Sequence, residues 1–299
     1  MNRKKTKPKG FLPKVLRLFI LLIGTYFLVV HVPWNERSEH HSVGVNAAVS
    51  AVGQQRETQG FTVSLPVKEV ANTRYLELIN SDYAISGKPD NRHIVLAAPA
   101  VPAINSEVTL HKKLQEGLSE LFAAAREADV NTLYISSGYR DYARQRQVYK
   151  AAPDKSFAQP PNHSEHQSGL AADIMVAGVS QAEMGASGEG QWLASNSWKY
   201  GLILRYPQGK QHLTGIAYEP WHFRYIGQPH AWYCWENDLS FEEYIWFLKD
   251  SGGYSAVFDG RKYSVLYQSA ENRNIYVHES LNYSVSSDNT GGYIVTAWE

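Results

Sequence analysis

Two histidines three residues apart, and an aspartate seven residues after the second, stand in the stretch HSEHQSGLAADIMV, His163 to Val176. Asp173 interrupts LAADIMV, an apolar run of strand length, where an uncompensated carboxylate is costly. It can be a salt-bridge partner, a residue of a surface strand, or a metal ligand, and the stretch alone leaves all three open. Imidazole nitrogens and carboxylate oxygens suit zinc, and a His, His, Asp set leaves one coordination position for water, as catalytic zinc sites do. Five of the 11 histidines fall between residues 163 and 230.

A second segment, YEPWHFRY, places His222 three residues after Glu219. A metal ligand beside a non-ligating carboxylate is what hydrolysis needs, because a metal acidifies water and the carboxylate moves its proton. On EPWH alone, the simpler account is an ion pair of Glu219 with Arg224 on a surface strand. A third segment, SGYRDYARQ, projects Arg140 from a turn at a strand end. A guanidinium fork suits an oxyanion or a substrate carboxylate. Taken singly, a structural salt bridge explains Arg140 as well.

The elements that must carry these residues read as α+β. HKKLQEGLSELFAAAREA repeats Leu114, Leu118, Leu121, Phe122 and Ala125 at helical spacing. NTLYISSGYR is a strand running into a turn, DYARQRQVYKAA a second helix stopped by Pro153, and FAQPPNHSEHQSG a loop. LAADIMV and LILRYP read as strands, QWLASNSWKYG as a helix ended by Gly201, and GIAYEPWHFRYIG as extended. Ser240 and Glu243 form a capping box that opens FEEYIWFLKD. After Gly253 the texture becomes short, alternating and aromatic, with DG and DNTGG turns, which predicts a small all-β module packed on the main domain.

SGYR, SEHQSGLAAD, WKYGLILRYP and YEPWHFRYIG, in that order, resemble the zinc D,D-carboxypeptidases of the VanY type, within the wider group of peptidoglycan metallopeptidases. The resemblance spans about residues 74–250. It implies a small antiparallel sheet with flanking helices around one zinc ion held by His166, Asp173 and His222. It makes Glu219 the catalytic base, Arg140 the group on the polarised carbonyl, and Gln145 and Ser164 contacts to the terminal D-residue. His163, His212 and His230 match no ligand position, with His163 expected to be exposed; Tyr206 and Trp221 either line the cleft or pack. The implied reaction removes the C-terminal D-Ala from peptidoglycan stem pentapeptides ending in D-Ala-D-Ala, in glycopeptide resistance or in wall trimming. Two alternatives stay open: an L,D-carboxypeptidase acting on tetrapeptide stems, and a non-catalytic wall-binding module. Ser164 is in no Ser-x-x-Lys sequence, which excludes the serine-type mechanism.

Lys+Arg and Asp+Glu each number 29, so no basic surplus points to nucleic acid. Seven basic residues nevertheless crowd the first 17 positions with no acid among them. The 18-residue apolar run Val15 to Val32 follows, and a basic flank before an apolar span orients what comes after it outward. The expected organisation is a basic segment and membrane anchor at 1–32, a stalk at 33–70, a catalytic domain at 71–250 and the β module at 254–299. The expected location is the cell membrane with the catalytic domain outside; cleaved secretion is the rival. Cys234, the single cysteine, permits no internal disulfide and reads as a small buried hydrophobe.

Overall fold

The computed structural model describes Val49–Ser50, residues 60–89 and residues 91–299. The expected anchor and most of the expected stalk lie outside the described residues. Among those described, the strands in chain order are β1 (Val49–Ser50), β2 (Val63–Pro66), β3 (Ile94–Leu96), β4 (Thr109–His111), β5 (Leu133–Ser137), β6 (Ala171–Val176), β7 (Leu202–Leu204), β8 (His222–Tyr225), β9 (Gly253–Phe258), β10 (Arg261–Ser269), β11 (Asn274–Val277), β12 (Asn282–Ser287) and β13 (Gly292–Trp298).

The site is built on a four-stranded antiparallel sheet in the order β5-β6-β8-β7. One face is covered by the helix Lys112–Glu127, whose buried Leu114, Leu118, Leu121, Phe122 and Ala125 share a core with Ile135, Ala172, Ile174 and Phe223. That helix starts where predicted, with the His111 side chain accepting a hydrogen bond from the Lys113 amide at 3.1 Å. Because successive strand residues face opposite ways, Asp173 points away from the core that takes Ala172 and Ile174.

A second core lies between the helices His230–Glu236 and Phe241–Ser251 and the C-terminal strands, where Trp232, Tyr244, Ile245 and Leu248 pack with Tyr254, Val265 and Ile294. The predicted capping box is present, with Ser240 and Glu243 bonded reciprocally. The C-terminal strands form a five-stranded sheet in the order β1-β9-β10-β13-β12. The first helix was not foreseen: HAWYCWE buries His230, Ala231, Trp232, Tyr233 and Cys234 in succession, so no polar face marks its period.

The stalk boundary expected at residue 70 needs correction. β2 pairs with β11, Leu65 opposite Ile275, and Phe61 is buried in a third cluster with Leu266, Val277 and Val295. Val63–Pro66 is too short to show an alternation, and its partner is distant in sequence, so nothing local announced the strand. The described residues form one compact unit, and the C-terminal strands are part of its core.

Candidate active site

β6 and β8 run antiparallel with Asp173 directly opposite His222, so two of the candidate ligands are cross-strand neighbours. His166 arrives from the single 3-10 turn Glu165–Ser168 that leads into β6, a tighter structure than the loop expected there. Its Nδ1 donates to the carbonyl oxygen of Gly138 at 2.7 Å, which leaves the Nε2 lone pair turned inward. Asp173 Oδ1 lies 3.3 Å from His166 Nε2 and 3.1 Å from His222 Nδ1. One ligand atom from each of the three residues falls within 4.8 Å of the other two.

The donor set fits a divalent cation. His166 Nε2 is buried and makes no hydrogen bond among the described residues, despite the nearby carboxylate oxygen, and an unsatisfied buried nitrogen is unfavourable without a further partner. Two imidazoles and one carboxylate would hold such an ion, and nitrogen and oxygen donors of this kind suit zinc.

Glu219, Arg140, Gln145 and Ser164 all line the same cleft of about 520 Å³ as the three candidate ligands. Glu219 Oε2 is 3.7 Å from His222 Nδ1, and the intervening turn is closed by a bond from the His222 amide to the Glu219 carbonyl at 3.1 Å. Arg140 Nη2 lies 3.9 Å from Asp173 Oδ2, while its Nε is buried without a hydrogen-bond partner among the described residues. Gly138 is required by close approach, since a Cβ there would collide with the Thr109 carbonyl. Gln145 is buried and donates through Nε2 to the Gln159 carbonyl at 2.6 Å, and its Oε1 has no partner among the described residues. Tyr206 and Trp221 line the cleft too; the Tyr206 ring centroid is 4.8 Å from that of His222, and Trp221 stacks on Phe157 at 6.4 Å.

Burial pushes the Glu219 carboxyl up to about 8, with Asp173 adding to the rise and His222 and Arg140 opposing it. For the polypeptide alone, burial opposes a charge on His222, yet its hydrogen bonds to Asp173 and Glu165 lift it to about 9. Burial, then the Arg140 charge, lowers His166 to about 4. Burial would raise Asp173, but the two histidines hold it well below the ordinary carboxylate range.

Of the other histidines, His212 is exposed and His230 is buried against Tyr244 and Thr296. His163 departs from the expected exposure: it is half-buried, with Nδ1 2.7 Å from the Asn80 carbonyl. Sequence reasoning missed a set of buried charges behind His222. Glu165 is bonded by Arg205 and Arg224, and the expected surface pairing of Glu219 with Arg224 does not occur, because Arg224 points to Glu165. The signal was an arginine in the middle of each apolar strand segment, LILRYP and HFRYIG.

A family model for VanY, described as D-alanyl-D-alanine carboxypeptidase, matches residues 107–228, which contain every candidate residue above. A D-alanyl-D-alanine carboxypeptidase of Enterococcus faecium is 33% identical over 293 residues, spanning 95% of this chain and 94% of the relative. The chain belongs to the VanY family. Another relative is the bifunctional D-Ala-D-Ala dipeptidase and carboxypeptidase VanXYC of Enterococcus gallinarum, 32% identical across 58% of this chain and 94% of its own. Among solved structures, the vancomycin-resistance D,D-dipeptidase VanXYg, in complex with a D-Ala-D-Ala phosphinate analogue, superposes with a TM-score of 0.66. It is 28% identical and covers 79% of this chain and 98% of its own. The LD-carboxypeptidase LdcB superposes with a TM-score of 0.52 at 30% identity, over 59% of this chain and 96% of its own. The α+β architecture with small antiparallel sheets matches the VanY/VanX type of fold, and this chain carries a C-terminal sheet module beside it.

Proposed function

We propose that this VanY-family chain is a zinc-dependent D,D-carboxypeptidase that releases the C-terminal D-Ala from peptidoglycan stem pentapeptides ending in D-Ala-D-Ala. The observation that carries the reading is the convergence of three candidate ligand atoms with the buried Glu219 carboxyl and the Arg140 guanidinium in one cleft. Zinc held by His166, Asp173 and His222 would supply a Lewis acid and acidify water in the cleft.

Glu219 takes a proton at its carboxylate as water adds to the carbonyl carbon of the penultimate residue. It then delivers that proton to the departing amine nitrogen, so that water and one peptide bond become one carboxylate and one free D-Ala. A carboxyl whose affinity for protons is raised toward neutrality serves both halves of that transfer. Arg140 presents charged donors into the cleft, where oxygen charge builds up. Gln145 Oε1 is oriented as an acceptor by its Nε2 bond and suits a substrate N–H, and Ser164 borders the same space. No protein nucleophile is required, and Ser164 has no lysine three residues on to activate it.

An exported, membrane-tethered enzyme would meet stems where they are displayed. Shortening those stems would reduce glycopeptide binding or trim the wall. The test is incubation of the chain with pentapeptide and tetrapeptide precursors, with and without a chelator. One D-Ala released from the pentapeptide alone, lost on chelation and restored by zinc, is the expected result. Release from the tetrapeptide alone would replace the reading with the L,D specificity that the LdcB likeness raises. Release from neither would leave a wall-binding module, and release that survives complete metal removal would overturn the zinc requirement.

A further inference from the structure

Behind the cleft lies a group of charges that the proposed chemistry does not use. Glu165, Arg205, Glu242 and Arg224 are all buried, two acids against two bases. Arg205 grips Glu242 with both terminal nitrogens, at 2.9 and 2.6 Å, and reaches Glu165 Oε1 through Nε at 2.8 Å. Arg224 Nη1 reaches the same Oε1 at 2.8 Å, and its Nη2 donates to the carbonyls of Tyr75 and Glu77 at 3.0 Å each. Asn80 Nδ2 completes Glu242 at 3.1 Å. Desolvating four charges is expensive, and such a group is often no more stable than well-packed hydrocarbon of the same volume. Its composition asks for a purpose beyond stability.

The asymmetry at Glu165 supplies one. Both arginines bind Oε1, while Oε2 is turned to His222 Nε2 at 3.4 Å. Nδ1 in turn faces Asp173 Oδ1 at 3.1 Å, so each ring nitrogen has a carboxylate before it, and once a cation shared with Asp173 and His166 takes the Nδ1 lone pair, Nε2 is the nitrogen that carries the proton and donates to Glu165. We infer that Glu165 is the positioning residue of the metal centre: it fixes the tautomer and ring plane of His222, and Arg205 and Arg224 hold its carboxylate charged and aimed for that purpose. His166 is oriented by a neutral backbone carbonyl, so the two histidines are set up by different means. A carboxylate behind a ligating imidazole makes the nitrogen on the other side a stronger donor. The support also reaches outside the segment matched by the family model, since Asn80, Tyr75, Glu77 and Glu242 all fall beyond residues 107–228.

This inference rests on the metal reading above, and the experiment separates the two. Zinc stoichiometry and affinity are measured on the full chain by competition with a chromophoric chelator, together with the cobalt(II) absorption spectrum, for the parent, Glu165→Gln and Glu165→Asp. Glu165→Gln keeps the reach and loses the charge; Glu165→Asp keeps the charge and withdraws it from His222. Both should weaken zinc binding by about 10- to 100-fold and shift the cobalt bands, with the parent holding one zinc per chain. A role confined to the fold would lower the melting temperature and leave metal affinity and cobalt spectrum at parental values, which would overturn the inference while sparing the metal site. A parent that takes up no metal would overturn the metal reading itself. Should neither variant fold, nitrogen-15 NMR of the zinc-loaded parent decides. A slowly exchanging, downfield Nε2 proton on His222 upholds the assignment, and zinc on Nε2 with the proton on Nδ1 refutes it.

Discussion

Asp173 offers a clean separation between a ligand and a structural carboxylate. It is opposite His222 in the sheet, 3.3 Å from His166 Nε2, and its side chain keeps only 16% exposure. Asp173→Ala should therefore lose stoichiometric zinc, read by elemental analysis after gel filtration, while the far-ultraviolet circular dichroism keeps the parental shape. Zinc retained at one per chain with a lowered melting temperature would mark Asp173 as a strand residue only. Glu219 should behave in the opposite manner. Glu219→Gln keeps the volume and removes the proton acceptor, so zinc content should stay at the parental level and kcat should fall by roughly 100- to 10,000-fold. Loss of zinc in that variant would make Glu219 a fourth ligand and remove the assigned base. Neither EPWH nor the His-x6-Asp spacing decided alone; the resemblance carried by SEHQSGLAAD and YEPWHFRYIG together singled out both residues, and the fold brings them to one cleft. Glu165 was not legible, since an acid beside a histidine in a loop has no distinguishing period and its partners lie 40 and 59 residues away.

Secondary structure was readable wherever the sequence carried a local rule. The Lys112–Glu127 helix follows its apolar repeat, the Phe241–Ser251 helix its capping box, and the Asp259–Gly260 turn between β9 and β10 its DG dipeptide. It was unreadable where burial erased the contrast between faces, as in His230–Glu236. His230 at the start of that helix ties it to the neighbouring helix and to β13, with Nδ1 2.5 Å from Tyr244 Oη and Nε2 2.9 Å from Thr296 Oγ1. Burial lowers its pKa to about 3. Below the ordinary histidine value of about 6.5 the unfolded chain binds a proton that the folded chain refuses, so this group makes stability fall as pH drops from about 6.5 to about 3. The slope from one such histidine is about 1.4 kcal/mol per pH unit. His230→Gln should thus lose less stability than the parent between pH 7 and pH 5, by about 2 kcal/mol in urea unfolding. Comparing variant with parent cancels the acid sensitivity that both share through the metal ligands. Equal slopes would mean that His230 is protonated in the folded protein.

At the scale of the whole molecule, the segment that carries the chemistry and the segment that folds are not the same length. Residues 107–228 hold the proposed ligands, the proposed base and Arg140. Yet Glu242 clamps Arg205 behind His222, and Tyr244, Ile245 and Leu248 of the same helix are covered by Tyr254, Val265 and Ile294 of the C-terminal sheet. A sequence reading that divides the chain at residue 250 follows a real change of texture, from helical periods to alternation, but texture records local structure and the core is shared across it. Each large apolar side chain stripped of cover forfeits about 1.5–3 kcal/mol, and a domain of ordinary stability has about 5–15 kcal/mol to lose. A chain ending at Gly252 uncovers several at once. It should show no cooperative thermal transition and no stoichiometric zinc, even though every residue of the cleft is still present, because the helix that carries Glu242 has lost the surface it packs on. A truncated chain that melts sharply and binds one zinc would instead establish two independent cores, with the network behind His222 held by the helix alone.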